Sequence, residues 1–338
     1  MRGPLKSVAG LVCPLLLASA VAGCSAGDGA ADAAPTGPPA SAAPSPVTAY
    51  APYVSATEAS ATDAAGSPTT YNLSFVISSG SGCAPRWNGT HALDDTAVAS
   101  RIARLTDSGA AVRVSFGGAS GRELAATCDS AEELAEAYGA ALDAAGATRA
   151  DFDVEGDELT DSASVDRRSE AIALLQEERA DLEVSFTLPV MPSGLDADGL
   201  ALLESADDHR VRVATVNLMT MNYGESYDGD MGDYARTSAE AAHAQLRDVF
   251  DLSGTTAWRG MALTPMIGVN DVGGETFTLA DAAQVRDFAE EKGIAWVSMW
   301  SALRDRPCAD GPSAGDDAAT DCSGVEQRAG AFGEAFAG

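Results

Sequence analysis

The 338-residue sequence contains only three histidines, His91, His209 and His243, and they are far apart along the chain. A Ser-His-Asp triad needs a histidine base beside its nucleophile, and the sequence gives little support for one. The chain also lacks the CxxC spacing and the Cys/His clusters of zinc sites. We therefore interpret the three histidines as surface residues and expect neither a zinc centre nor a histidine-based hydrolase.

Positive charge is scarce as well. The chain has 21 basic against 50 acidic residues, a net charge of -29. An acidic surface disfavours nucleic acid and anionic membrane surfaces, because both carry negative charge themselves. The glycine-rich stretch Gly117–Gly121 has neither the GxGxxG nor the GxxxxGK[ST] spacing of nucleotide loops. We predict no nucleic-acid partner and interpret this stretch as a tight turn.

The N-terminal apolar run, Val8–Leu17, is shorter than the ~20 residues that a membrane-spanning helix needs. Two basic residues precede it and small residues follow, which is typical of a secretory signal peptide. The segment Val21–Cys24 resembles a bacterial lipobox. This predicts that residues 1–23 are removed and that a lipid on Cys24 anchors the protein at the cell surface. The alternative is an ordinary signal peptide with an incidental cysteine.

Cysteine is the next scarce residue, and its pattern agrees with export. Apart from Cys13 in the predicted signal and the lipid candidate, four cysteines remain: Cys83, Cys128, Cys308 and Cys322. An even count in an oxidising compartment suggests two disulfides, although four cysteines allow three pairings. We expect Cys83–Cys128 and Cys308–Cys322.

Residues 24–46 are mostly Ala, Gly, Pro, Ser and Thr and predict a flexible tether. Residues 47–338 are then expected to form one domain. Eight β-rich segments lack strict polar alternation, as strands buried on both faces do. The segments are Val47–Val54, Tyr71–Ser78, Val112–Gly117, Arg149–Glu155, Leu182–Val190, Val213–Tyr223, Met261–Val269 and Ala295–Trp300.

Helical patterns fall between these segments. They are Asp94–Thr106, Ser130–Ala144, Ser162–Arg179, Ala197–Ser205, Tyr234–Val249, Leu279–Lys292 and Val325–Phe336, while Ala56–Gly66 predicts only a short helix or a loop. Repeated alternation of strand and helix in a chain of this size predicts a (β/α)8 TIM barrel. A doubly wound α/β sheet is the alternative.

Three carboxylates alternate with apolar residues in the segment Asp151–Glu155. In a strand, Asp151, Asp153 and Glu155 share one face, with about 7 Å between next-but-one neighbours. Buried acids are costly unless they form hydrogen bonds, share protons or meet a ligand, and such packing raises the pKa that a general acid needs. Glu155 would also lie at the C-terminal end of a strand, where barrels carry their active sites.

Two other interpretations of this acidic row stay open. It could be a strand whose acids face solvent. It could also begin a calcium loop, because Gly156 falls at the sixth position of such a loop. The twelfth position, however, is Ser162, where that loop needs a bidentate glutamate.

Four pieces in the expected order resemble the glycoside hydrolase family 18 chitinases, most closely the compact bacterial ones. Asp151–Glu155 matches the end of the DxxDxDxE signature, and Ser115–Gly118 matches the SxGG motif. Met219–Tyr223 is similar to the sixth-strand motif, and Trp300 matches the tryptophan that ends the eighth strand. The resemblance covers about residue 47 to the C-terminus.

The resemblance implies a retaining, substrate-assisted hydrolase of β-1,4-N-acetylglucosamine linkages in chitin or chitooligosaccharides, with no cofactor or metal. Glu155 would be the general acid and base. Asp153 would bind the acetamido N–H of the sugar, and Asp151 would support Asp153 from below. Tyr223 would face the barrel mouth and hold the acetamido oxygen.

Substrate-binding residues implied by the resemblance are Trp300, as an apolar floor, with Met221, Asn222 and Gly118. Two positions depart from the family pattern: Thr148 replaces the first Asp of the signature, and Asn222 replaces an Asp of many relatives. These departures keep two alternatives open. One is a weak or inactive chitooligosaccharide-binding lipoprotein, and the other is an endo-β-N-acetylglucosaminidase that acts on N-glycan cores. We expect a monomer.

Overall fold

The structure is a computed structural model that describes residues 47–80, 82–309, 311 and 320–338. The predicted signal peptide, the predicted lipidation site Cys24 and the predicted tether lie outside the described residues. Within those ranges, no helix is both long enough and apolar enough to cross a membrane.

Strands and helices alternate along most of the described chain. The strands are β1 Ala49–Tyr50, β2 Tyr53–Ser55, β3 Thr70–Ser78, β4 Pro85–Trp87, β5 Ala111–Gly117, β6 Arg149–Asp153, β7 Glu183–Pro189, β8 Val213–Met219, β9 Met261–Thr264, β10 Gly268–Val269, β11 Thr276–Phe277 and β12 Trp296–Val297. The α-helices are α1 Thr96–Thr106, α2 Ala131–Ala145, α3 Asp157–Thr160, α4 Ser162–Glu178, α5 Ala197–Asp208, α6 Met231–Val249, α7 Gly254–Arg259, α8 Leu279–Lys292 and α9 Ala331–Ala337.

Parallel pairing closes the sheet into a barrel. The strand order is β1-β12-β9-β8-β7-β6-β5-β3-β2, and β4 pairs antiparallel with β3. Only Ala51 and Pro52 separate β1, which pairs with β12, from β2, which pairs with β3. These two pieces therefore form one barrel strand, interrupted where proline has no N–H to donate. The predicted (β/α)8 barrel is confirmed, and the doubly wound alternative, which leaves open sheet edges, is wrong.

Each predicted strand segment contains a strand, but some connections differ from the prediction. The last helix begins at Ala331 rather than Val325, because Gly330 adopts a left-handed φ of 83° at its N-terminus. The stretch Ala56–Gly66 forms turns without a helix. The hairpin of β10 and β11 and the short helix α7 were not predicted.

A row of phenylalanines explains which way strand β6 faces. Phe152 stands in register with Phe116 on β5 and Phe186 on β7, at ring-centroid distances of 5.3 and 5.8 Å. The ring of Tyr138 on helix α2 packs against Phe152 at 4.9 Å. These rings fill the layer between barrel and helices. Because side chains alternate along a strand, Asp151 and Asp153 point into the barrel.

Both predicted disulfides are confirmed. Cys83 is bonded to Cys128 across 45 residues, and Cys308 to Cys322 across 14. The first bond links the segment after β3 to the loop that precedes α2. Disulfides of this kind persist in oxidising compartments.

Candidate active site

Asp151 lies at the buried bottom of the site, inside the barrel. Its side chain is fully buried and accepts hydrogen bonds from four hydroxyl groups. The donors are Tyr53 Oη at 2.9 Å, Ser115 Oγ at 2.6 Å, Ser185 Oγ at 2.8 Å and Thr187 Oγ1 at 2.7 Å. Ser115 and Ser185 stand beside Asp151 in the strand register, so the barrel itself places these donors.

This arrangement decides between the interpretations of the acidic row. Asp151 and Asp153 are buried inside the barrel, so the solvent-facing alternative is wrong. Both also lie within a strand that is paired on its two sides, rather than in a loop. The calcium-loop alternative has no support in this geometry, because an EF-hand draws its ligands from a turning 12-residue loop.

Asp153 and Glu155 form a coupled pair of carboxyl groups above Asp151. Burial raises the pKa of Asp153 well above its usual value, and the nearby charges of Glu155 and Asp151 raise it further. Burial also raises the pKa of Glu155, although a hydrogen bond from Asp153 partly offsets this. The interaction between the two carboxyl groups raises the pKa of Asp153 and lowers that of Glu155, so their titrations are linked.

A cavity of about 480 Å³, open to solvent at its mouth, lies above this pair and is called the aromatic cavity below. Its lining combines aromatic, acidic and apolar side chains: Tyr53, Phe75, Ala119, Asp153, Glu155, Thr187, Met219, Met221, Asn222, Thr264, Asp271 and Trp300. Trp300 stacks on Phe75 at 5.6 Å and meets Tyr53 edge-on at 5.8 Å. The three rings therefore form one continuous aromatic part of the cavity lining.

A second cavity, of about 700 Å³, adjoins the first and is also lined by Glu155. It is called the methionine cavity here, and its lining residues are Glu155, Pro189, Val190, Met191, Asp196, Met219, Met221 and Asn222. Glu155, Met219, Met221 and Asn222 line both cavities. Glu155 thus stands at the junction, with space for a ligand on either side.

Known proteins resemble this chain in both sequence and fold. No protein-family model matches the chain. It is 34% identical over 277 residues to "Probable bifunctional chitinase/lysozyme" of Escherichia coli (strain K12), covering 76% of this chain and 31% of that protein. It is also 34% identical over 279 residues to "Endochitinase 11" of Metarhizium anisopliae, covering 77% and 53%. The chain therefore spans about a third to a half of these curated relatives.

A solved structure covers more of the chain. It contains catalytic-site mutants of active domain 2 of the thermostable chitinase from Pyrococcus furiosus, complexed with chito-oligosaccharides. The match has a TM-score of 0.76 and 31% identity, and it covers 87% of this chain and 94% of that one. The chain belongs to glycoside hydrolase family 18.

One residue implied by the family 18 resemblance lies elsewhere. Strand β8 ends at Met219, and Asn222 has a positive φ of 55°, so the strand alternation does not continue to Tyr223. Tyr223 is 5% exposed, lines neither cavity and packs against Tyr227 and Tyr234. This position differs from the one that strand alternation predicts at the barrel mouth. The contact of Tyr223 with the acetamido oxygen of the sugar stays a prediction.

A further carboxylate enters the site from an unpredicted hairpin. Asp271 follows β10 and lines the aromatic cavity, and its charge raises the pKa of Glu155. Asn222 holds it by two hydrogen bonds: Asn222 Nδ2 donates to Asp271 Oδ2 at 3.2 Å, and the Asp271 N–H donates to Asn222 Oδ1 at 3.0 Å. Asp271 thus brings a negative charge to the residue that replaces the aspartate of many family 18 members.

The two glycines of the family 18 SxGG motif allow close packing. A Cβ on Gly117, which has a φ of 95°, would lie 2.1 Å from the Asp153 carbonyl oxygen. A Cβ on Gly118 would lie 2.8 Å from the Phe75 ring. Gly118 is not among the residues that line the two cavities, so its effect on the site passes through Phe75.

Proposed function

We propose that this protein hydrolyses β-1,4-N-acetylglucosamine linkages in chitin or chitooligosaccharides, with retention and with assistance from the substrate. The observation that carries the proposal is that Glu155 lines both cavities, close to the buried carboxyl group of Asp153, whose pKa is raised by burial and by the charge of Glu155. A glycosidic bond that runs from one cavity to the other would pass Glu155. The similar proteins are named as chitinases, which supports the same activity.

Asp153 is suited to bind the acetamido group of the sugar. Its Oδ1 atom is buried and has no hydrogen-bond partner among the described residues. An unpaired buried acceptor costs about 1–3 kcal/mol, which an N–H donor from the substrate would recover. Donation from this N–H favours the ionised form of Asp153. Glu155, whose pKa is raised by burial, would then carry the proton.

Glu155 then acts as the general acid. It donates its proton to the glycosidic oxygen while the acetamido oxygen of the substrate attacks the anomeric carbon and the glycosidic bond breaks. The positive charge of the resulting oxazolinium ring is stabilised by ionised Asp153. Water then attacks the anomeric carbon and gives a proton to Glu155, which restores the acid for the next cycle.

Aromatic residues orient the reacting sugar in this proposal. Trp300 and Phe75 present flat apolar faces to the aromatic cavity, where the C–H surface of a pyranose can stack. Tyr53 contacts Trp300 and donates to Asp151, so one side chain joins the sugar platform to the acidic row. Tyr53 is not among the site residues that the sequence predicts.

Product analysis tests the proposal. Soluble chitooligosaccharides are incubated with the protein and with Glu155→Gln, and the products are identified by mass spectrometry. We expect shorter oligosaccharides from the parent and almost none from the variant. Binding without cleavage by the parent would indicate the binding-protein alternative. Cleavage of N-glycan cores, with intact chitooligosaccharides, would indicate the endo-β-N-acetylglucosaminidase.

Location and assembly are proposals from the sequence. We propose a lipid anchor at Cys24, an extracellular or cell-surface position and a monomeric state. The two disulfides support an oxidising compartment, which is consistent with export.

A further inference from the structure

The described methionines fall into two groups, buried and partly exposed. Seven of the eight methionines lie in the described part of the chain. Four of them, Met231, Met261, Met266 and Met299, are at most 2% exposed. The other three are partly exposed, and all three line the methionine cavity. The partly exposed methionines of the described chain thus all lie at the candidate active site.

Two local features present these three residues to the cavity. Met219 is the last residue of β8, and Met221 follows before the chain turns at Asn222. Met191 lies across the cavity in a tight turn that is closed by two backbone hydrogen bonds with Gly194, of 2.8 and 3.0 Å. Their positions are set by the barrel and by this turn.

The methionine cavity has no aromatic residue in its lining, unlike the aromatic cavity. On this side of Glu155, methionines supply much of the apolar surface available to a sugar ring, together with Pro189 and Val190. Thioethers adapt well to irregular ligand surfaces, but they are open to oxidation.

We propose that Met191, Met219 and Met221 form an oxidation site through which peroxides lower the activity of the enzyme. The effect on activity rests on the proposed function. In each event hydrogen peroxide transfers one oxygen atom to the thioether sulfur, the O–O bond breaks, and the second oxygen leaves as water. Sulfur loses two electrons and peroxide gains them. The product, methionine sulfoxide, is polar and chiral, so it disrupts the apolar wall beside Glu155.

The buried methionines are protected by the same packing that forms the barrel. Met231, for example, is 1% exposed at the start of α6. The disulfides are consistent with a compartment in which peroxides meet the protein. Methionine sulfoxide is reduced by methionine sulfoxide reductases, one enzyme for each epimer, so the change is reversible.

The test exposes the folded, full-length protein to hydrogen peroxide and maps sulfoxides by peptide mass spectrometry. Chitooligosaccharide hydrolysis is measured before treatment, after it, and after repair with both reductases. We expect sulfoxides first at the three cavity methionines. We also expect kcat/KM to fall by about tenfold or more, the factor for losing the burial of one apolar side chain. Activity should return on repair.

Leucine variants test whether the loss of activity in peroxide comes from the three cavity methionines or from methionines elsewhere in the protein. Leucine has a similar volume and cannot form a sulfoxide. The variants are Met191→Leu, Met219→Leu, Met221→Leu and the triple variant. The activity of each variant after peroxide is compared with the activity of the same variant before treatment. The triple variant should keep its activity in peroxide. Met231→Leu, the matched control at a buried site, should stay as sensitive as the parent.

Three results would overturn the inference: sulfoxide forming first at the buried methionines, unchanged kinetics with all three cavity methionines oxidised, or equal sensitivity of the parent and the triple variant. If the triple variant does not fold, the single variants decide, since each should reduce the peroxide effect. A parent that never cleaves chitooligosaccharides refutes the proposed function instead. The sulfoxide map and calorimetric binding of chitotetraose, with and without peroxide, then still test the site.

Discussion

Replacing Tyr53 by phenylalanine removes one hydroxyl and leaves the ring. The hydroxyl donates to Asp151 Oδ2 at 2.9 Å, inside the barrel, where both residues are at most 1% exposed. The ring contacts with Trp300 and Phe75 do not involve the oxygen and should persist. The variant therefore removes one of the four hydrogen bonds that Asp151 accepts, together with the hydroxyl's contacts with Thr187 Oγ1 at 3.0 Å and Asn217 Nδ2 at 3.3 Å.

The magnitude follows from that bond. A hydrogen bond to a charged acceptor contributes about 1.5–3 kcal/mol, and after the change Asp151 Oδ2 keeps only the bond from Ser115. For a domain of about 290 residues, 1 kcal/mol corresponds to roughly 1.6 °C in Tm. We expect Tm to fall by about 2–5 °C in thermal unfolding followed by circular dichroism.

A second tyrosine of the same barrel strand is the matched control. Tyr50 is 5% exposed, and its hydroxyl has no hydrogen-bond partner among the described residues. Its ring stacks on Phe336 at 6.2 Å. Tyr50→Phe should leave Tm unchanged or raise it slightly, because it removes an unpaired buried polar atom. Equal changes in Tm for the two variants would refute the reasoning.

Two other perturbations probe the charges and the cross-links. Asp271→Asn should shift the alkaline limb of the kcat/KM profile to lower pH, because Asp271 raises the pKa of Glu155 and so keeps the acid protonated to higher pH. Glu225→Gln, the same charge change on an exposed residue outside both cavities, should leave the limb in place; equal shifts would contradict a local effect. Removing the disulfide that spans 45 residues should lower the free energy of unfolding by about 1 kcal/mol more than removing the one that spans 14, because loop-closure entropy grows with loop length. Urea unfolding of the two double Cys→Ser variants measures this, and the reverse order would argue against it.

The sequence was sufficient to predict the barrel because its strands are apolar on both faces and its helices begin at recognisable caps. Ser130, for example, accepts from the Glu133 N–H at the start of α2, as its position before two glutamates predicts. The inward position of Asp151 and Asp153 likewise follows from strand alternation alone.

Strand alternation did not predict the chain direction beyond Met219, where strand β8 ends. It predicted a common face for residues 219, 221 and 223, but the positive φ at Asn222 turns the chain before Tyr223. Asparagine is one of the few non-glycine residues that adopt a positive φ, so Asn222 was itself a sequence signal for this turn. A strand rule cannot be applied beyond the last paired residue.

Tyr53 and Asp271 were missed for different reasons. Tyr53 looks like an ordinary core tyrosine, because its partner Asp151 is 98 residues away and only barrel closure joins them. Asp271 carried a usable signal, since it closely follows a predicted barrel strand and barrel sites lie at strand ends. Its contact with Asn222, however, depends on the β10–β11 hairpin, whose two-residue strands are too short to show a hydrophobic pattern.

The most direct test of the central claim is the activity of Glu155→Gln on soluble chitooligosaccharides, with calorimetric binding measured in parallel. If Glu155 supplies the proton, kcat should fall by about 10²-fold or more, while Kd and Tm stay close to the parent values. Glu158→Gln, three residues further on in α3 and outside both cavities, is the matched control and should keep its activity. Full hydrolysis by Glu155→Gln would contradict the account.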